Sequence, residues 1–174
     1  MRSTPNGPTN QQKTAMKILY LDYNGVLHDS KVIRNRKRGL YIATPDRDFF
    51  EWMPILEELL APHPDVKIVL STSWVRALGF DDTRQELSET LRERVIGSTF
   101  HHPKLTPAEF DTMPRGMQVL RDVERRKPTS WLALDDDAFG WPAACRDHLI
   151  ETKGHLGLTE PAVQDAMRKM LAAL

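Results

Sequence analysis

The sequence predicts an α/β fold, a three-layer sandwich of helices around a mostly parallel sheet, with no cap or only a small flap. Three observations predict it. Short apolar runs alternate with segments of helical period through most of the 174 residues, the pattern left by parallel strands and their crossover helices. Three of those runs end in chemistry-bearing residues: Asp22, Ser71-Thr72-Ser73 and Asp135-Asp136-Asp137. Open Rossmann-like sheets bind their ligands at such strand ends. The length fits a single domain, and a content of 40% hydrophobic residues is enough for one sizeable core.

Residues 1–14 are polar and rich in Pro, Asn, Gln and Thr, so they are expected to form a mobile tail ahead of one domain over 15–174. Met16–Leu21 (MKILYL) is short, apolar and closed by Asp22, as a buried parallel strand would be. Apolar spacing then predicts a helix over about Met53–Ala61, with Pro54 in its first turn and Pro62 and Pro64 beyond its end. Val66–Leu70 (VKIVL) is a second strand, and Asp82–Arg94 a helix with Leu87 and Leu91 on one stripe. Val95–Phe100 is expected as a third strand, and Pro114–Arg126 as a helix with Met117, Leu120 and Val123/Glu124 at helical spacing. Trp131–Leu134 (WLAL) is a fourth strand, and His148–Thr152 a short fifth. Thr159 would cap a last helix, Pro161–Ala173, with Val163, Met167, Met170 and Leu171 facing the core.

Lys and Arg number 24, as do Asp and Glu, so the formal net charge is zero. That balance argues against attachment to nucleic acid by bulk charge and leaves a local basic patch open. No apolar run reaches the ~18–20 residues of a membrane span, and residues 1–15 hold no apolar stretch of a secretory signal, so a cytoplasmic protein is expected. Cys145 is the only cysteine, which excludes an internal disulfide and a multi-thiolate zinc site. It reads as a small buried hydrophobe, and Trp74 and Trp141 as packing residues.

The strand ends carry the functional signal. Asp22-Tyr23-Asn24-Gly25 comes directly off the first strand. A carboxylate there can attack phosphorus and form an aspartyl-phosphate, although Asp, Asn and Gly are also ordinary turn residues. A hydroxyl at Thr72 could bind a phosphoryl oxygen, with Ser71 and Ser73 as competitors. Three adjacent carboxylates after a buried strand repel one another unless a cation is close, and hard oxygens suit Mg²⁺. Arg115, at a helix start, offers a fixed positive charge for a phosphoryl group; Lys104 is its rival.

Together these residues resemble the haloacid dehalogenase-like (HAD) hydrolase superfamily over about residues 16–152. ILYLDYNGVL matches its first motif except at one position, IVLSTSW its second at Thr72, Arg115 its third, and LALDDDAFG its fourth. GVLHD, LLAPHPDVKIVLSTSW and WLALDDDAFGWP look like small bacterial members with little or no cap. The resemblance implies a Mg²⁺-dependent hydrolase of phosphomonoesters. Asp22 would be nucleophile and metal ligand, and Asn24 would lend its backbone carbonyl to the metal. Asp136 would complete the metal site, with Asp135 acting through water or orienting a ligand. Thr72 and Arg115 would hold the phosphoryl group, with Ser73 and Lys104 as further substrate contacts.

Asn24 is the departure, because phosphatases of this superfamily carry there an Asp that serves as general acid and base. An amide exchanges no proton near neutral pH, and such catalysis is worth ~10²–10⁴-fold. Three outcomes are open: a slow phosphatase for good leaving groups, a proton supplied by another group such as His28, or a domain that binds phosphorylated ligands without turning them over. The superfamily also places a hairpin flap between its first two motifs, here about residues 28–45. Its run Arg34-Asn35-Arg36-Lys37-Arg38 would steer an anionic substrate, a small phosphorylated molecule or a nucleotide or nucleic-acid end, or else is a solvated turn.

Overall fold

The structure is a computed structural model and describes residues 15–101 and 105–174. The N-terminal segment 1–14 and the predicted phosphate contact Lys104 lie outside the described residues.

In chain order, β1 (Lys17–Leu21) is followed by a hairpin of β2 (Val32–Asn35) and β3 (Gly39–Ile42), then α1 (Met53–Leu60) and β4 (Val66–Leu70). Three short helices, α2 (Trp74–Leu78), α3 (Phe80–Gln85) and α4 (Glu89–Arg92), lead to β5 (Val95–Ser98). Then come α5 (Pro107–Asp111), α6 (Arg115–Arg126), β6 (Ser130–Asp135), β7 (Leu149–Glu151) and α7 (Pro161–Ala173). The five-stranded sheet has the order β5-β4-β1-β6-β7, and its pairings are all parallel. The α/β sandwich expected from the sequence is therefore the fold. No described helix is long and apolar enough to cross a membrane.

Alternation along the strands builds the layers. Leu19 and Leu21 join Ile68, Leu70, Leu132 and Leu134 on one face, against Leu56 and Leu60 of α1 and Met167 and Leu171 of α7. Ile18 and Tyr20 join Val69, Trp131 and Ala133 on the other, against Val119 of α6. β1 is the central strand, and Ile18 to Leu21 are fully buried, which is why its sequence is a continuous apolar run rather than an alternating one.

Two sequence expectations need correction. The helix expected over Asp82–Arg94 is broken: α3 begins at Phe80 and ends at Gln85, and α4 covers Glu89–Arg92. Ser88 causes the restart, because its Oγ accepts the Leu91 N–H at 3.4 Å as an N-cap, and the same hydroxyl bonds Glu57 Oε1 at 2.5 Å. Leu87 still enters the core, 1% exposed. Thr159 does not cap α7. It sits in a 3₁₀ turn and donates its hydroxyl to the Leu156 carbonyl at 2.6 Å, while Glu160 occupies the cap position ahead of Pro161.

Candidate active site

Sheet register assembles the site. Leu21 pairs with both Leu70 and Leu134, so the residues that follow, Asp22, Ser71-Thr72 and Asp135-Asp136, leave the sheet side by side. The exit is held by Asp22 N–H to Leu134 carbonyl at 3.1 Å and Ser71 N–H to Leu21 carbonyl at 2.9 Å. Thr72 is 4% exposed beside Asp22. Ser71 is also buried, but its hydroxyl has no hydrogen-bond partner among the described residues. Ser73 is exposed and lines the cleft above, at the start of α2.

Asp22, Asp135 and Asp136 each offer an oxygen within 4.8 Å of the others. Asp22 and Asp135 are 3% and 0% exposed, and Asp22 Oδ1 and Asp135 Oδ2 lack any hydrogen-bond partner among the described residues. Arg115 lies beyond hydrogen-bond reach, with Nη1 3.8 Å from Asp22 Oδ1 and Nε 3.7 Å from Asp135 Oδ2. Orphaned, buried, hard oxygens beside a single guanidinium fit a divalent cation such as Mg²⁺. Burial raises the Asp22 carboxyl above its ordinary range, against the pull of Arg115, the Tyr23 backbone N–H and Thr72. Burial and then Asp22 raise Asp135 well above it. Burial opposes the charge of Arg115, but the surrounding aspartates outweigh it and push its pKa up.

Burial and the neighbouring Asp22 also push Asp136 from 3.8 to about 6. A carboxyl raised by folding destabilises the metal-free fold as pH rises from about 3.8 through about 6, where the unfolded chain has already lost its proton. A cation binds the deprotonated form. Mg²⁺ is therefore expected to raise the melting temperature more at pH 8 than at pH 5, read by thermal unfolding with and without the ion. Equal shifts at the two pH values would contradict this.

Two glycines cradle Asp136. Gly25 has φ +71°, and a Cβ there would collide with the Asp136 carboxylate. A Cβ on Gly154 would lie 3.0 Å from Asp136 Oδ2 and against Ser30 Oγ. The segment carrying Gly154 is tied down at both ends: Thr152 donates its hydroxyl to the Gly25 carbonyl at 2.7 Å, and the Gly154 carbonyl accepts the Ser30 N–H at 2.8 Å. Gly154→Ala is expected to weaken Mg²⁺ binding roughly 10–100-fold, the usual effect of disturbing a ligand's support, with the fold retained. Titration calorimetry checks this, and an unchanged affinity would show that Asp136 is positioned without the cradle.

Arg115 owes its place to tight contacts at the start of α6. Gly116 lets the helix approach Trp141, where a Cβ would lie 2.7 Å from the Trp141 Cα. Trp141 is 7% exposed and donates its indole N–H to the Asp137 carbonyl at 3.0 Å, so it ties the end of β6 to α6.

The departure from the family pattern has a defined environment. Asn24 Oδ1 accepts the indole N–H of Trp74 at 2.9 Å and lies 3.0 Å from His28 Nε2. The Phe50 N–H donates to His28 Nδ1 at 3.4 Å, so the proton of the neutral ring is on Nε2 and points at Asn24. Phe50 takes φ +59° to make that approach, an unusual conformation for a bulky residue. Burial lowers the His28 pKa to about 4, which keeps the ring neutral at physiological pH. Sequence reasoning identified Trp74 only as packing. Its ring does pack, 4% exposed among Tyr23, His28, Phe49 and Phe50, but its polar edge reaches the site. A Trp two positions after the Ser/Thr strand end was the only sequence trace of that role.

Above these residues lies a cleft of about 620 Å³, between the β2–β3 hairpin on one side and α2, α5 and the start of α6 on the others. Asn24, Arg34, Trp74, Arg76, Phe110 and Arg115 are among its lining residues. Arg36, Lys37 and Arg38 occupy the exposed tip of the hairpin. The basic run thus falls on a hairpin beside the cleft mouth, with Arg34, itself exposed, among the cleft-lining residues.

Residues 18–163 match the family model described as the HAD domain in Swiss Army Knife RNA repair proteins. No curated protein and no solved structure matches the chain.

Proposed function

The chain belongs to the family of HAD domains in Swiss Army Knife RNA repair proteins, and from this membership we propose that it is a Mg²⁺-dependent phosphohydrolase acting on phosphorylated nucleotide or RNA ends. The family is hydrolase-like, and its members generally use Mg²⁺. One observation carries the reading most: three carboxylates, those of Asp22 and Asp135 with orphaned buried oxygens, meet within 4.8 Å beside Arg115. A purely structural cluster would neutralise those oxygens with hydrogen bonds.

In this reading Asp22 attacks the phosphorus and carries the phosphoryl group as an aspartyl-phosphate. The Thr72 hydroxyl and Arg115 hold the phosphoryl oxygens. Asp22, Asp136 and the Asn24 backbone carbonyl would hold Mg²⁺, with Asp135 orienting the set. The ion, when bound, offsets the carboxylate charge and polarises the phosphoryl oxygens. The hairpin cations Arg34, Arg36, Lys37 and Arg38 attract an anionic chain toward the cleft. RNA enters the reading from the family's description and from that hairpin.

The test is phosphate release by the purified protein from 5′- and 3′-phosphorylated oligoribonucleotides and a panel of small phosphomonoesters, with Mg²⁺ and with EDTA. Release that depends on Mg²⁺ supports the reading. Tight Mg²⁺-dependent binding without release supports a second reading, a phospholigand-binding domain. The proton-inert Asn24 favours that alternative.

A further inference from the structure

We propose that the cleft is built for a phosphoanhydride terminus, the di- or triphosphate end of a nucleotide or oligonucleotide, rather than for an alkyl phosphomonoester. The inference rests on the reading of Asp22 as nucleophile and adds the leaving group to it.

The first support is the absence of a proton donor where the leaving group departs. Asn24 Oδ1 is occupied by the Trp74 and His28 N–H groups, which orients the amide and leaves Nδ2 as its remaining polar group. Nδ2 has no hydrogen-bond partner among the described residues, and Asn24 lines the cleft. The single N–H of His28 is already donated to Asn24, and its other nitrogen accepts from Phe50. His28 therefore hands no proton to a substrate. At position 24 the departing oxygen meets a fixed neutral amide N–H, not a group that exchanges a proton near neutral pH.

The leaving group decides whether that suffices. An alkoxide belongs to an alcohol about as weakly acidic as water, and departs slowly without protonation. A phosphate belongs to an acid of pKa about 6, and departs as the anion. The second support is charge. An anhydride's leaving group carries its own phosphate into the cleft, and Arg34 lines that wall without an ion pair among the described residues. Arg76, also in the lining, is held in place by a two-point pair with Asp111 at 3.0 and 3.3 Å.

The chemistry balances without a further reactant. An Asp22 carboxylate oxygen bonds to the terminal phosphorus as the bridging P–O bond breaks, and the electron pair leaves on the departing phosphate. Water then attacks the phosphorus of the aspartyl-phosphate. The bond to the Asp22 oxygen breaks, the carboxylate returns, and the water's proton passes to the released phosphate or to solvent.

The experiment compares adenosine 5′-diphosphate with adenosine 5′-monophosphate, and 4-nitrophenyl phosphate with phenyl phosphate, for wild type and Asn24→Asp at saturating Mg²⁺. The aryl pair differs in leaving-group acidity at equal charge, so it separates chemistry from recognition. Wild type is expected to favour the diphosphate at least about 100-fold in kcat/KM, the size of a missing general acid, and to show a steep preference for the nitrophenyl ester. Asn24→Asp is expected to compress both ratios by raising the poorer substrate of each pair. Wild-type rates within 10-fold of each other on both pairs would overturn the anhydride preference and leave a phosphatase. Phosphate release from none of the four substrates would overturn the hydrolase reading together with it.

Discussion

Asp22→Asn is expected to abolish phosphate release, a fall of at least about 10³-fold, because under the proposed mechanism the variant lacks the group that attacks phosphorus. The same substitution is expected to raise the melting temperature of the metal-free protein. Asp22 is 3% exposed, and burial raises its pKa. Its charge also presses on Asp135 and Asp136. Arg115 is the cation paired to Asp22 and Asp135, at 3.8 and 3.7 Å. An uncharged amide of the same shape relieves that repulsion. Phosphate release and thermal unfolding in EDTA measure the two effects on one sample. Retained activity would show that Asp22 is not the attacking group.

Asn24→Asp is expected to raise turnover on alkyl phosphomonoesters by roughly 10-fold or more, toward the ~10²–10⁴-fold that general acid–base catalysis supplies. The substitution conserves size, so the turn at Gly25 persists. One oxygen of the new carboxylate inherits the Trp74 and His28 N–H donors, and the other occupies the position of Nδ2 at the cleft. Those two donors favour its ionised form, whereas Asp22 and Asp136 favour its protonated form. Saturating Mg²⁺ offsets the added charge. Steady-state kinetics on a folded, metal-loaded variant are the measurement. Unchanged or lower activity would move the reading to a domain that binds phosphorylated ligands without turnover.

The fold was legible because buried parallel strands are short, continuous and apolar, and three of them end at residues that do not belong in a core. β1, β4 and β6 stand out from sequence for that reason, and the register that joins Leu21 to Leu70 and Leu134 places their C-terminal residues together. The break at Ser88 was not legible, because Leu87 and Leu91 keep helical spacing across it while the hydroxyl prefers a cap bond to Leu91 and Glu57. The site's carboxylates and Arg115 were visible as residue types at element ends. Their supports were not. Gly154 acts through what a Cβ would strike, Phe50 through a backbone angle, and Trp74 through the edge of a buried ring. None of these leaves a periodicity, and only Trp74 leaves a spacing, two positions after Thr72.

The clasp from Thr152 to the Gly25 carbonyl spans 127 positions of sequence. It sets the order in which this protein can acquire its chemistry. The Asp22–Gly25 turn follows the first strand, yet the hydroxyl that holds the Gly25 carbonyl and the Gly154 wall beside Asp136 lie beyond β7. A chain emerging from the ribosome therefore exposes Asp22 early and completes the pocket only when nearly the whole sheet has formed. Non-local pairings of this kind are assembled late, after long loops have closed. A partly folded chain leaves the Asp136 carboxylate without its glycine cradle, so closure of that cradle reports that the segment after β7 has docked.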